Sequence, residues 1–252
     1  ARRMHVPSVC VVDLFAKLEM DWLGRPDYAD RLTVLSNSVR DRFLRAGRRS
    51  EEIVVAGNPA FDYLGTTQAR QRGVELRQRH GWPEGKTVMF ISHVMPWDQS
   101  IHAGIISVLS DAAMEHGWKF IVRPHPGEQS PAVAQHVHIS QNAYEPPEVI
   151  LEAVDAVVTM LSTMGLEAAL IGLPIVVTEI YPEILPTWID IEGDLFLKEL
   201  GIGELVPDHT GLPAAVQRAL AAGRQSYPGL PQMGRATERV CDVIVETMAM
   251  KV

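Results

Sequence analysis

The stretch D-A-V-V-T-M-L-S-T-M-G-L-E-A-A-L-I-G-L-P-I-V-V-T, residues 155–178, decides how the rest of the chain is read. Its Val-rich run at 156–160 has the unbroken apolar character of a strand buried on both faces. Ser162 and Thr163 follow where a helix would begin, and Leu166, Ala169 and Leu170 recur at helical spacing on one face. Gly172 and Pro174 stop that helix, and 175–178 starts another strand. Such a unit leaves hydroxyls and unbonded helix N–H groups beyond the carboxyl end of a parallel strand. Open α/β sheets bind ligands there, and phosphate is favoured.

Strands and helices alternate on both sides of this unit. The segment 81–86, G-W-P-E-G-K, carries two Gly and one Pro and marks a boundary. After it, strands are predicted at 87–92, 118–123 and briefly 137–140, with helices at 101–116 and 147–154. Beyond the central unit, 181–200 is broken by Pro182 and Pro186, and helices are predicted at 212–222 and 233–250. This alternation specifies an α/β protein with a parallel sheet covered on both faces. Residues 81–252 suffice for one complete Rossmann-like domain. Residues 1–80 supply strands at 8–12, 31–35 and 53–56, a helix capped by Ser36 or Asn37, a Gly57-Asn58-Pro59 turn and a polar helix over 61–79. These are too few strands for a second complete domain, so 1–80 reads as a partial α/β domain.

Bulk properties narrow the function. The chain has 252 residues, 46% hydrophobic and 21% charged, an ordinary composition for a soluble globular protein. A formal net charge of -8 argues against non-specific nucleic-acid binding. Cys10 and Cys241 lie far apart in apolar runs and read as buried free thiols in a reducing compartment. No apolar run reaches the ~18 residues of a membrane span, and the N-terminus lacks the apolar core of a signal peptide. The expected location is cytoplasmic. A strand so soon after Ala1 suits a fragment of a longer protein, and a removed initiator Met explains Ala1 equally well.

Three loops follow predicted strands of the larger domain and should converge at one sheet edge: S-H-V-M-P-W-D (92–98), R-P-H-P-G-E (123–128) and L-S-T-M-G (161–165). His125 is fixed between two prolines, which suits contact with a phosphate or a base. Glu128 beside it has the position of a solvated turn residue. One hydroxyl of the Ser162–Thr163 pair satisfies the helix cap; the second, with Gly165 admitting a ligand to the backbone, is a surplus that points to anion binding. Glu167, one turn into the helix, could accept both hydroxyls of a ribose, or simply interact with the helix dipole. His93 is a candidate for touching a reacting group by position alone. Asp13 ends the first strand, where a carboxylate can do chemistry or cap the next segment. His102, His116, His136 and His138 read as surface or packing residues. No His/Cys/Asp/Glu group has convincing metal spacing, and there is no P-loop, G-x-G-x-x-G or G-x-S-x-G.

The runs R-L-T-V-L-S-N-S-V-R-D-R-F-L-R-A-G (31–47) and E-E-I-V-V-A-G-N-P-A-F-D-Y-L (51–64) resemble the domain junction of GT-B-fold nucleotide-sugar enzymes. There a strand–helix pair closes the first domain, and the chain crosses over after a G-N-P turn followed by Asp, here Asp62. The R-P-H-P-G-E and L-S-T-M-G-L-E-A-A-L-I-G-L-P-I-V-V runs are similar to donor-binding motifs of that superfamily. The H-P and S-T elements look most like bacterial capsule, sialyl- and glycerophosphate-type transferases. E-A-A-L-I-G-L-P is also similar to lipid A disaccharide synthase and the UDP-GlcNAc 2-epimerases. The resemblance implies a GT-B-type donor-binding domain at 81–252 and an acceptor-side partial domain with the crossover at 1–80. It implies donor binding by His125, Ser162, Thr163 and Glu167, with Glu128 and Gly165 in the same motifs. Asp13 and His93 fall near acidic and His catalytic positions of the epimerases. Residues 92–98 lack the epimerases' Arg-Glu-Asn continuation, and the third loop lacks their paired Gly and paired Glu. The expectation is a glycosyltransferase moving a sugar from a UDP- or CMP-linked donor to a hydroxyl acceptor, carbohydrate or lipid-linked, in polysaccharide or glycoconjugate synthesis. No separate cofactor, no metal, no nucleic-acid partner and no membrane span is expected, while peripheral membrane association is compatible with it. A sugar-nucleotide 2-epimerase and a non-catalytic nucleotide-binding module are the alternatives.

Overall fold

The computed structural model describes residues 6–13, 24–25, 28–93, 100–160, 162–180, 197, 200–228, 230 and 233–250. The chain divides into two compact units, Ala1–Leu64 with Pro228–Val252, and Gly65–Tyr227.

In the first unit, β1 (Val9–Val11), β2 (Arg31–Val34) and β3 (Ile53–Val55) form a parallel sheet in that order. Between β2 and β3 runs α1 (Asn37–Arg45). Of its two candidate caps the structure uses Ser36, whose Oγ accepts from the Val39 N–H, and Val39 and Phe43 are its buried face.

The second unit begins with α2 (Thr67–His80), capped by Thr66. It then alternates: β4 (Thr87–Ile91), α3 (Ser100–His116), β5 (Lys119–Arg123), β6 (His138–Ile139), α4 (Pro147–Ala153), β7 (Ala156–Thr159), α5 (Thr163–Leu170), β8 (Ile175–Thr178), β9 (Glu204–Val206) and α6 (Leu212–Ala222). The six strands are all parallel, in the order β6-β5-β4-β7-β8-β9. This is the doubly wound dinucleotide-fold order, in which the first strand lies centrally and the winding reverses between it and the fourth. Here the reversal falls between β4 and β7. Strands β4, β7 and β8 are buried along their whole length. Phe90, Phe120, Val158 and Val176 pack with Ile105 and Leu109 of α3 and with Leu212 and Val216 of α6 in one core.

The spatial division does not follow the expected 1–80 and 81–252. Helix α2 joins the second unit through two devices. A Cβ on Gly73 would stand 2.5 Å from Glu152 Cβ and 2.9 Å from the Glu152 backbone carbon, so α2 and α4 approach as only glycine allows. Arg77 donates to both carboxylate oxygens of Asp155 (3.0 and 2.8 Å), and Asp155 also accepts from the Thr87 N–H at 2.9 Å. Gly73→Ala therefore forces the two helices apart. An expected loss of about 1–3 kcal/mol, read from urea unfolding, tests this contact, and unchanged stability would contradict it. Conversely, α7 (Ala236–Ala249) packs on β1 and β2 of the first unit. Asp62 accepts from the Ala236 and Thr237 N–H groups at 3.0 and 2.8 Å, so the Asp after the G-N-P turn caps this helix.

Three local expectations are corrected. The polar helix starts at Thr67, because Gly65 adopts φ +63° and Pro59–Phe61 is a short 3-10 turn. Strand β9 was not anticipated; three residues beside Gly201 and Gly203 carry no readable period. Cys241 is exposed and Cys10 half-buried, both free; Cys241 follows buried Val240 and points off the packed face of α7. No helix among the described residues is long and apolar enough to cross a membrane. The Pro-broken segment falls almost entirely outside the described residues.

Candidate functional site

Strand β4 pairs with β5 on one side and β7 on the other, so the loops after these three strands leave the same sheet edge at the winding reversal. Ser92 and His93 are the described part of the first loop, and Leu161 lies outside the described residues in the third.

The first two loops are knotted together. The Ser92 hydroxyl donates to Glu128 Oε2. It also accepts from the His125 N–H at 2.9 Å, which Glu128 Oε2 shares at 3.1 Å. The Gly127 N–H donates to His125 Nδ1 at 3.0 Å. Nδ1 is thus the acceptor, and in neutral imidazole the proton sits on Nε2, which becomes the outward donor. The prolines flanking His125 set up this turn, and the ring itself is exposed. His93 meets it edge to face, with centroids 6.4 Å apart at 76°.

Glu128 is not the solvated turn residue its position implied. Its Oε2 serves Ser92 and His125, and its Oε1 lies 3.2 Å from His102 Nδ1. With both oxygens engaged inside the protein, Glu128 holds the loops in place. His102 enters from the first turn of α3, packs edge-on against Phe90 (5.7 Å) and is buried, its Nε2 without a hydrogen-bond partner among the described residues. A cavity of about 640 Å³ opens beside Ser92, His102 and Glu128 and runs along α3 past Ser107 and Asp111. Sequence reasoning missed Ser92 and His102 as parts of this site. The available signal was spacing: one is the residue after β4, the other lies in the first turn of the helix that follows.

Burial pushes the His93 pKa below its ordinary value, and the neighbouring His125 and His102 push it the same way. Burial also lowers that of His102, against the opposing pull of Glu128. Unfolding returns both rings to about 6.5. The unfolded chain therefore binds more protons just below that pH. Stability that is complete above about pH 6.5 is lost as pH falls through the lowered folded values. Urea midpoints measured at about pH 7.5 and about pH 5.5 should show this loss, with a smaller loss in His102→Gln. An equal loss in that variant would contradict the assignment.

At the third loop, Ser162 Oγ accepts from the Met164 N–H (3.2 Å) and Ser162 O from the Gly165 N–H (2.9 Å), which opens α5. Thr163, half-exposed at the first helical position, keeps its hydroxyl and an N–H for which a helix supplies no acceptor. Glu167 is buried one turn on, within charge range of Arg123. Gly165 has a different reason from ligand access: a Cβ there would meet Thr159 Cγ2 at 2.8 Å and Leu197 Cδ1 at 3.1 Å, so glycine seats α5 against β7. Arg123 is committed internally, donating to Ser140 Oγ and the Glu145 carbonyl at 2.7 Å each, and to Asn142. Asp13 stands exposed past the end of β1 in the first unit, and its carbonyl accepts from Asn58 Nδ2 at 2.7 Å.

No family model matches the sequence, and no curated protein matches it. Solved structures do match in fold. UDP-GlcNAc 2-epimerase from Neisseria meningitidis bound to UDP-GlcNAc aligns at 13% identity with a TM-score of 0.64, covering 97% of this chain and 71% of that one. The Methanocaldococcus jannaschii UDP-GlcNAc 2-epimerase in complex with UDP-GlcNAc and UDP aligns at 14% identity and a TM-score of 0.58, over 87% of this chain. A variant of the wall teichoic acid polymerase TagF soaked with CDPG aligns at 15% identity and a TM-score of 0.59, over 93%. The chain spans 62% of the length of each of the last two. At these identities the likeness is one of fold, and the fold of this chain is of GT-B type.

Proposed function

We propose that the chain is a GT-B-type glycosyltransferase, or the donor-binding part of one, that takes a UDP- or CMP-linked sugar. The observation that carries this is that the loop bearing a braced His125 with an outward Nε2–H and the hydroxyl-rich start of α5 leave the same sheet edge, on either side of β4. Both are donors suited to the phosphate of a nucleotide, and a helix N-terminus adds a favourable dipole. Glu167 lies one turn behind for the ribose.

In the transfer, the acceptor hydroxyl attacks the anomeric carbon as the bond from that carbon to the phosphate oxygen breaks. By its resemblance to the acidic position of the epimerases, Asp13 is the carboxylate we assign to the acceptor proton. The negative charge that develops on the leaving nucleotide is met by His125 Nε2–H and the N–H groups of α5. His93, whose pKa burial lowers, stands edge to face with His125 and would touch the donor beside the reacting centre. Glu128 and Gly165 act indirectly, the first by fixing the His125 loop and the second by seating α5. Sugar transfer from UDP- and CMP-linked donors to a panel of carbohydrate and lipid-linked acceptors is the expected result. Donor binding without transfer or hydrolysis would count against an enzyme.

A second reading, a sugar-nucleotide 2-epimerase, is supported by the fold likeness to two such enzymes. It predicts deuterium uptake at the sugar C2 in heavy water without any acceptor, an exchange the transferase reading does not produce.

A further inference from the structure

Outside these loops, a second cluster gathers residues far apart in sequence. His80 ends α2, His138 opens the edge strand β6, and Glu145 lies in the segment before α4. One ligand atom from each lies within 4.8 Å of the others. His138 Nε2 is 2.8 Å and His80 Nε2 3.5 Å from the same oxygen, Glu145 Oε1. We propose that His80, His138 and Glu145 form a binding site for one divalent transition-metal ion of the zinc class, with solvent completing the coordination.

Three features separate this trio from an ordinary ion-pair network. The Glu145 side chain is 7% exposed, and its Oε2 is buried with no hydrogen-bond partner among the described residues. Two imidazole nitrogens thus crowd Oε1, the Ser140 hydroxyl also acts on this carboxylate, and a cation beside Oε1 would compensate its buried charge directly. The rings are fixed from behind. His80 stacks on Trp82 at 4.7 Å and 13°, and His138 meets both edge-on at 4.8 and 5.1 Å. The backbone of Glu145 is held by Arg123, which donates to its carbonyl. Outer-shell bracing of this kind orients ligands before the ion arrives.

The geometry is close to what an ion needs. Zinc–nitrogen bonds of about 2.0–2.1 Å put two tetrahedral ligand atoms about 3.3 Å apart. The two nitrogen–oxygen separations, 2.8 and 3.5 Å, straddle that value, and the third pair of ligand atoms lies within 4.8 Å. Two imidazoles and one carboxylate select Zn²⁺, Co²⁺, Ni²⁺ or Cu²⁺ over Mg²⁺ or Ca²⁺. His80 and His138 keep 32% and 23% of their side-chain surface, which leaves room for a water on the fourth position. The ion would tie the end of α2 to β6, a two-residue strand at the edge of the sheet. No sequence motif announces the site, because its first and second ligands are contributed by separate elements.

The test is Zn²⁺ titration of the chelator-treated full chain by calorimetry. One equivalent is expected to bind, with affinity lowered at least about 10-fold in His138→Gln and in His80→Asn. Zn²⁺ should raise the melting temperature of the parent chain and not that of the variants. A zinc-soaked crystal provides a readout that needs no variant: an anomalous peak bonded to His80 Nε2, His138 Nε2 and Glu145. Absence of stoichiometric binding, binding that both variants retain, or a peak located only at His93 and His125 would overturn the proposal.

Discussion

Asp13→Asn is expected to abolish sugar transfer while leaving nucleotide affinity unchanged. Removing a general base costs about 10²- to 10⁴-fold in rate. The change keeps size and shape, and the only described hydrogen bond at this residue uses its carbonyl, accepting from Asn58. The loss should therefore appear in kcat, measured with a saturating donor. The prediction also separates the transferase from a non-catalytic nucleotide-binding module, for which Asp13→Asn would leave function intact. Full transfer activity in the variant would remove Asp13 from the mechanism.

His125→Ala carries the second large effect, and it falls on binding. The outward Nε2–H is a donor to a charged phosphate, an interaction of about 1.5–3 kcal/mol. Nucleotide affinity should fall about 10- to 100-fold. Ser92→Ala should lower it less, because Ser92 acts by holding the His125 loop through Glu128 and the His125 N–H. Equal affinities for the parent chain and His125→Ala, by calorimetry with UDP and CMP, would show that the ring does not face the nucleotide.

Much of the second unit was legible because parallel strands buried on both faces write themselves as short apolar runs. The central unit held from β7 through α5 to β8, with Ser162 as the cap, and α6 matches its predicted bounds. The convergence of three loops followed from strand order alone. Side-chain commitments were not legible, since they depend on partners distant in sequence. Glu128 looked like a turn residue until Ser92 and His102, 36 and 26 positions away, were seen to occupy it. Gly165 looked like an opening for a ligand, yet Thr159 and Leu197 fill the space its missing Cβ leaves. The His80–His138–Glu145 group has no sequence spacing to read, because folding brings its members together. The unit boundary was misplaced for the same reason: Gly73 against Glu152 and Asp62 at the start of α7 are both long-range contacts.

The β4–β7 reversal of the second unit is the nucleotide site we propose. Crystals of the full chain soaked with UDP, and separately with CMP, test it most directly. Phosphate density is expected against the first N–H groups of α5 and His125 Nε2, with the ribose toward Glu167. Saturating nucleotide that leaves this edge without density, or binds only elsewhere, would contradict it.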